Sequence, residues 1–198
     1  MFVTLYRDRH LEVIDKPPGI PVVPARDGGD SIVGKTGLLV VHRLDTDTSG
    51  VLVLARSEHG QRVLSAAFQE GRVGKVYAAL CTGSLPAPSG TCDVPLGEWK
   101  RSRVKIGEGK ASRTAWELAR QEGDRLAVVA RPQTGRTHQV RAHLCHLGAP
   151  IVGDEAYGGA DAARIHLHAW RIDLPWPERD ATLTIEAPLP AGFELFRA

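Results

Sequence analysis

A short polar segment between two apolar stretches holds the residue types best suited to chemistry. It reads His42-Arg43-Leu44-Asp45-Thr46-Asp47-Thr48-Ser49-Gly50, and residues 38–41 and 50–55 on either side are apolar strand candidates. A charged loop held between two apolar strands is a place where a rigid scaffold presents reactive groups. The carboxylates of Asp45 and Asp47 invite two interpretations, a calcium loop and a phosphoryl-acceptor loop.

Neither interpretation fits the loop well. Counting Asp45 as position one, position twelve is Arg56, where a calcium loop needs a bidentate Glu. A phosphoryl-acceptor loop follows an uninterrupted apolar strand, whereas a His-Arg pair opens this one. That chemistry also wants Mg²⁺ and further carboxylates, for which Asp154 and Glu155 are available. A metal-dependent phosphatase therefore stays an alternative that a chelator test would expose.

The histidines do not predict a metal site. His138, His143 and His146 lie on a predicted helix over residues 137–147, but His138 and His143 point about 140° apart at about 100° per residue. Zinc ligands need to converge on one point. The pattern favours hydrogen bonding within the fold and contact with a polar ligand, and a zinc hydrolase would be ruled out by a metal-free purified protein.

The distribution of charge is more informative than its total, because basic residues cluster in the segment Lys100–Arg113. One acid, Glu108, interrupts it. Its basic members are Lys100, Arg101, Arg103, Lys105, Lys110 and Arg113. The net charge of +2 is too mild to indicate nucleic-acid binding by itself, but such a stripe can neutralise phosphates. The alternative is a solvated strand face.

The bulk properties indicate a compact intracellular protein. A chain of 198 residues suits one domain that buries a core without disulfides. Three scattered cysteines fit a reducing compartment. No apolar run reaches the roughly 18 residues of a membrane span, and residues 1–9 lack the apolar core of a signal peptide. We therefore expect a cytoplasmic protein with no membrane partner, and a monomer.

Strands outnumber helices in the predicted order of elements, which favours an α+β fold with a mainly antiparallel sheet. Helices are predicted from an N-cap at Ser57 to Gln69, where apolar residues recur at helical spacing, and over residues 137–147. Strands are predicted over residues 11–14, 38–41, 50–55, 75–82, 112–119, 125–130, 165–174 and 182–185.

Three motifs in order resemble those of the RluA family of pseudouridine synthases. The loop at 42–50 looks like the signature around that family's catalytic aspartate. Phe68-Gln69 followed by Lys75-Val76-Tyr77 resembles the motif that carries an active-site tyrosine. Residues 135–143, Gly-Arg-Thr-His-Gln-Val-Arg-Ala-His, resemble the motif that supplies an arginine partner to the aspartate. Weaker matches lie at residues 15–19, 109–114, 150–159 and 167–169.

The resemblance implies a pseudouridine-synthase catalytic fold, with a mixed but mainly antiparallel central sheet flanked by helices and loops. Many relatives carry a small RNA-binding module before this domain. Residues 11–19 already match the start of the catalytic domain, so we expect residues 1–198 to form a single catalytic domain without that module. The basic segment would then contribute more of the contacts that bind RNA.

The resemblance also implies the roles of three catalytic residues. Asp45 would be the essential carboxylate, either as a nucleophile or as the base that starts glycosidic elimination. Arg141 would hold it ionised, since an opposite charge favours the charged form. Tyr77 would stack on the flipped uracil, and its hydroxyl would relay the C5 proton. No metal and no other cofactor is expected.

The remaining expectations concern the RNA. The family modifies large-subunit rRNA and transfer RNA, so structured RNA is the expected partner. Arg43 would hold the RNA open or fill the stack that the base vacates, whereas His42 and Thr48 would shape the loop. The other expected RNA contacts are Arg136, His138, Lys100, Arg101 and Arg103, with Arg136 as the fallback partner of Asp45. The competing hypothesis is a non-catalytic RNA-binding module on the same fold, which would bind RNA without yielding product.

Overall fold

The structure is a computed structural model that describes residues 2–25, 28–100, 102–176 and 182–197. Its backbone groups into two units, Met1–Lys75 with Ala169–Pro188, and Val76–His168 with Leu189–Ala198. Arg101, one of the expected RNA contacts, lies outside the described residues. No helix among the described residues is long and apolar enough to cross a membrane.

The described elements follow one another along the chain in a strand-rich order. The strands are β1 Val3–Arg7, β2 Leu11–Lys16, β3 Leu39–Val40, β4 Ser49–Ala55, β5 Gly74–Thr82, β6 Ser89–Cys92, β7 Leu96–Lys100, β8 Arg103–Ile106, β9 Thr114–Glu122, β10 Arg125–Pro132, β11 Leu167–Pro175 and β12 Thr182–Glu186. The helices are α1 Ile32–Thr36, α2 Glu58–Gln69 and α3 Gln139–His146, with 3₁₀ turns at Glu155–Tyr157 and Glu194–Phe196.

The first unit is built on β4, in which every residue is buried. Strand β2 pairs with β4 on one side and β1 on the other, both antiparallel, and β12 pairs antiparallel with β11. Helix α2 packs Leu64 and Ala67 into the apolar cluster that β2 and β4 supply. Ser57 caps α2 by accepting a hydrogen bond from the backbone N–H of Gly60, as the sequence predicts.

The second unit is built on β10, which lies between β5 and β9 in antiparallel register, and β6 pairs with β9. The turn between β9 and β10 contains Gly123 at φ 60°, a left-handed conformation that glycine adopts without a steric penalty. Val140 and Leu144 of α3 pack into the cluster formed by the sheet. Antiparallel pairing in both units, together with few helices, confirms the predicted α+β class.

The structure also contains elements that the sequence did not predict, notably the antiparallel hairpin β7–β8. It carries the first part of the basic segment. Charged side chains obscure its alternation, and its turn has Ser102 at φ 70° in place of a glycine, so the usual hairpin signal is missing. Helix α3 begins at Gln139 rather than residue 137, because His138 adopts a left-handed φ of 54°.

Candidate active site

The loop that carries Asp45 is anchored by its own buried residues. Leu44, Thr48 and Ser49 are buried, Asp45 is half-buried and Arg43 is exposed. The backbone N–H of Thr48 donates to the carbonyl of Asp45 at 3.1 Å, which closes a tight backbone turn that begins at Asp45. The loop therefore fixes the backbone of Asp45 from inside while it leaves the Arg43 side chain to solvent.

A buried lysine binds the backbone of this loop. Lys16, at the end of β2, is 0% exposed. Its ammonium donates to the carbonyl oxygens of Pro17, Thr46 and Thr48 at 2.9, 2.7 and 2.9 Å. A buried charge is tolerated only where it is compensated by polar partners. The sequence marked Lys16 only as part of a weak motif match, and the structure shows that it binds the chain immediately after Asp45.

His42, at the start of the loop, packs on helix α2 and is bound by strand β4. Its ring stacks on Phe68 of α2, with centroids 4.3 Å apart and planes 16° apart. Its Nε2 accepts a hydrogen bond from the backbone N–H of Val53 at 2.9 Å. Burial, followed by the charge of Lys75, lowers the pKa of His42 from 6.5 to about 3. The ring is therefore neutral with its proton on Nδ1, and its contacts match the loop-shaping role expected for it.

In the second unit, Arg141 of α3 is held by a buried carboxylate. Arg141 is 6% exposed and Asp154 is 0% exposed. The Nε and Nη2 groups of Arg141 donate to Oδ2 and Oδ1 of Asp154 at 2.7 and 2.8 Å, a bidentate pair. The sequence proposed only Asp45 as the partner of Arg141. The phosphatase alternative needed Asp154 as a further carboxylate, but here both oxygens of Asp154 accept hydrogen bonds from Arg141.

Tyr77 lies on β5, opposite Ala130 of β10. Its side chain is half-buried and packs against the apolar cluster of the second unit. Tyr77 and Arg141 thus belong to the same unit, whereas Asp45 and Arg43 belong to the other. The partnership of Asp45 with Arg141 therefore stays a prediction.

Gln139 fixes the start of α3, where the third motif lies. Its Oε1 accepts from the Thr134 hydroxyl at 2.7 Å and from the backbone N–H of Arg136 at 3.0 Å. Its Nε2 donates to the carbonyl of Arg113 at 2.9 Å and to the hydroxyl of Thr114 at 3.0 Å. The amide thereby ties the helix to the end of the basic segment.

Arg136, one turn before the helix, is exposed. Its Nε donates to the carbonyl of Ala111 at 3.0 Å. This bond anchors one edge of the guanidinium to the basic segment. An exposed guanidinium anchored in this way is suited to phosphate binding.

His143 continues the connection deeper in the unit. The hydroxyl of Ser112 donates to the carbonyl of Val94 at 2.6 Å and lies 3.0 Å from Nε2 of His143. Nδ1 of the same ring lies 2.9 Å from the hydroxyl of Thr114. Since the Ser112 proton is already used, Nε2 of a neutral His143 carries the ring proton. Burial lowers the pKa of His143, which favours that neutral form and a structural role.

The hairpin β7–β8 presents a charged groove of about 360 Å³. The residues that line it are Glu98, Lys100, Arg103, Val104, Lys105 and Glu108. Lys100 and Arg103 are exposed. The ammonium of Lys105 pairs with Glu108 at 2.6 Å, so part of the positive charge is already compensated within the hairpin.

Three comparisons with known proteins agree. A family model described as RNA pseudouridylate synthase matches residues 10–146. The chain is 39% identical, over 96% of its length and 66% of the relative, to ribosomal large subunit pseudouridine synthase D of Xanthomonas campestris. It is 35% identical, over 94% of its length and 92% of the relative, to the dual-specificity RNA pseudouridine synthase RluA of Escherichia coli. The solved structure of human RNA pseudouridylate synthase domain containing 4 matches 98% of this chain, and 93% of its own, with a TM-score of 0.82 at 25% identity.

Proposed function

The chain belongs to the RNA pseudouridylate synthase family, as the resemblance to RluA implied, and we propose that it isomerises specific uridines in large-subunit rRNA or transfer RNA with Asp45 as the catalytic carboxylate. Membership makes it an isomerase acting on RNA. The choice of residues, substrate and cofactor-free chemistry is our proposal. The observation that best supports Asp45 is the anchoring of its loop by the buried ammonium of Lys16.

The reaction needs no redox partner and no water. The bond from ribose C1′ to N1 of uracil breaks, the base turns, and C1′ joins C5. N1 gains a proton and C5 loses one, so the product has the same composition as the substrate. The residues must therefore cleave a glycosidic bond, retain the base and move a proton, and Asp45 starts the cleavage by attack or by elimination.

Two further residues complete the proposed chemistry. Arg141 favours the ionised carboxylate of Asp45, because a nearby cation stabilises the charged form. Asp154 holds Arg141 through two parallel hydrogen bonds, which fixes the direction of its guanidinium. Tyr77 stacks on the extruded base and relays the C5 proton through its hydroxyl, a step for which phenylalanine has no group.

The proposed RNA contacts are basic side chains and the imidazole of His138. Arg43 holds the RNA open or fills the stack that the base vacates, and Arg136 and His138 contact the RNA. On the basic segment, Lys100, Arg101 and Arg103 neutralise phosphates. We further propose that residues 1–198 act as a single catalytic domain, as a monomer in the cytoplasm.

The decisive test is release of tritium from C5-labelled uridine in unmodified transfer RNA and large-subunit rRNA transcripts. Wild type should release tritium from one of these RNAs. Asp45→Asn keeps the size of the side chain but not its charge, and should show less than about 1% of that rate, since an essential catalytic group contributes far more than about 10²-fold. Activity above that level would remove Asp45 from its role. RNA binding without product from any transcript would favour the non-catalytic module.

A further inference from the structure

One side chain in the second unit, that of Tyr157, contacts the hairpin β7–β8, His138 and Arg141, to which the proposed function gives separate roles. Tyr157 ends the 3₁₀ turn Glu155–Tyr157 and is 5% exposed. It packs with Leu96 and Val104 of the hairpin β7–β8 and with Ala142 of α3. Its position therefore links the hairpin that carries basic residues to the helix that carries Arg141.

The aromatic ring of Tyr157 packs against the guanidinium of Arg141. The guanidinium carbon of Arg141 lies 5.3 Å from the ring centroid, within the range of a cation–π contact. Asp154, three residues before Tyr157, binds the same guanidinium. The backbone N–H of Tyr157 donates to the carbonyl of Asp154 at 3.1 Å, so one tight turn supplies both the carboxylate and the ring face.

The hydroxyl of Tyr157 has a different set of partners. It accepts a hydrogen bond from the backbone N–H of Val104 at 2.9 Å. It also lies 3.2 Å from Nδ1 of His138. When the phenol donates its proton to Nδ1, a neutral His138 carries its own proton on Nε2 and becomes a donor for an RNA oxygen. His138 has a left-handed φ of 54°, an uncommon conformation that surrounding contacts must maintain.

We propose that Tyr157 is a positioning residue that couples the grip of the hairpin β7–β8 on RNA to the placement of His138 and Arg141. The proposal rests on the proposed function, since it assigns the hairpin to RNA and Arg141 to the reacting site. The hydroxyl holds the hairpin and His138 and so acts on RNA binding. The ring holds Arg141 and so acts on turnover.

Because the two contacts use different parts of the side chain, two substitutions separate them. Tyr157→Phe removes the hydroxyl and keeps the ring. It should raise KM for RNA about tenfold, the cost of one lost hydrogen bond in a network, and leave kcat within about twofold. Tyr157→Leu also removes the ring, and should lower kcat by about a further tenfold. Tyr6→Phe is the matched control, because the Tyr6 hydroxyl donates to Asp8 at 3.2 Å in the other unit. It should change neither constant.

Coupling is tested by a double-mutant cycle. Lys100→Ala with Arg103→Ala should raise KM strongly in the wild type and less in the Tyr157→Phe background, where the hairpin is already released. Additive effects, or a KM for Tyr157→Phe equal to that of Tyr6→Phe, would overturn the proposal. If Tyr157→Leu does not fold, the Phe variant and the cycle still decide it. A wild type that modifies no RNA would instead overturn the proposed function.

Discussion

The ammonium nitrogen of Lys16 lies 2.7 Å from the carbonyl oxygen of Thr46, the residue that follows Asp45. The two residues are 30 positions apart in the chain. The same ammonium also reaches the carbonyl of Thr48. Lys16 therefore fixes the backbone of the residues that follow Asp45 in the chain. Its charge-assisted hydrogen bonds hold the loop that carries the Asp45 carboxylate.

Replacing this anchor should loosen the loop and lower stability together. Lys16→Met keeps the apolar stem but removes the ammonium that donates to the carbonyls of Pro17, Thr46 and Thr48. Thr48 is buried, and a buried acceptor that loses its donor costs about 1–3 kcal/mol. We expect the free energy of unfolding to fall by that amount and kcat for tritium release to fall at least about tenfold, because the position of Asp45 is no longer fixed. Urea unfolding and steady-state kinetics measure the two effects.

The matched control is Lys35→Met. Lys35 pairs with Asp30 at 2.6 Å, and both side chains are exposed. Exposed pairs contribute about 0–1 kcal/mol, so this variant should keep both stability and kcat. If Lys16→Met resembled Lys35→Met in both measurements, the loop would be held by its other contacts.

Local signals in the sequence were sufficient for elements whose partners lie nearby. Helix α2 was predicted from Ser57 to Gln69 because the capping residue and the apolar spacing both lie within that segment, and the structure has it at Glu58–Gln69. The strands β9 and β10 were predicted from their alternation around a glycine turn. The order of the three motifs likewise identified the family without any structure.

Partners that are distant in the chain were not predictable. The acceptors of Lys16 are backbone carbonyls, which exist at every position and leave no mark on the pattern of residue types. The ion pair of Arg141 with Asp154 spans 13 positions and two elements, so no helical or strand spacing indicates it. Tyr157 appeared only within a weak motif match, because its contacts depend on the packing of a hairpin that was not predicted.

The low pKa of His42, which is half-buried, predicts a pH dependence of stability. Its pKa is about 3 in the folded protein and near 6.5 when unfolded. Between these values the unfolded chain binds the proton and the folded chain does not, so stability falls as pH decreases from 6.5 towards 3. Comparing pH 7.5 with pH 4.5, we expect His42 to account for a loss of about 3 kcal/mol in the free energy of unfolding.

His42→Gln isolates this contribution. The side-chain oxygen of glutamine can still accept from the Val53 N–H but does not titrate. Burial also lowers the pKa values of His143 and His166, but these residues remain in both proteins, so their effect cancels in the difference. Urea unfolding at the two pH values should show a smaller loss for His42→Gln. An equal loss in both proteins would mean that His42 is protonated readily in the folded state.

The buried pair of Arg141 and Asp154 predicts that removing its negative charge lowers stability far more than the same change in an exposed ion pair. Asp154→Asn keeps the shape of the side chain but removes the negative charge that pairs with the buried guanidinium of Arg141, and removing one partner of a buried ion pair costs about 3–5 kcal/mol. We expect a loss of that size in the free energy of unfolding, and a lower kcat because the direction of the guanidinium is no longer fixed.

Glu117→Gln is the corresponding control, since Glu117 pairs with Arg131 at 3.3 Å between side chains that are 56% and 48% exposed. It should change the free energy of unfolding by less than about 1 kcal/mol. An Asp154→Asn protein as stable as this control would show that Arg141 is compensated by its other contacts. Urea unfolding of the two variants beside wild type is the measurement.

The basic hairpin predicts a specific change in the salt dependence of RNA binding. Each phosphate contact that is lost lowers the slope of log K against log salt by about 0.7 to 0.9. Lys100→Ala, Arg101→Ala and Arg103→Ala together should therefore weaken binding and flatten the slope by about 2 to 3. The same change in net charge is made elsewhere by Arg7→Ala, Arg72→Ala and Arg171→Ala, which remove cations already paired with Glu12, Glu70 and Asp173.

Binding of a fluorescent RNA between about 50 and 200 mM salt compares the two triple variants, a range over which several phosphate contacts change affinity by orders of magnitude. If the slope falls only for the hairpin variant, phosphates lie against Lys100–Arg103 itself. If both variants lower the slope equally, the protein attracts RNA through its overall charge and the hairpin has no special part. An unchanged slope in both would remove the hairpin from the RNA interface, and with it the first link in the coupling assigned to Tyr157.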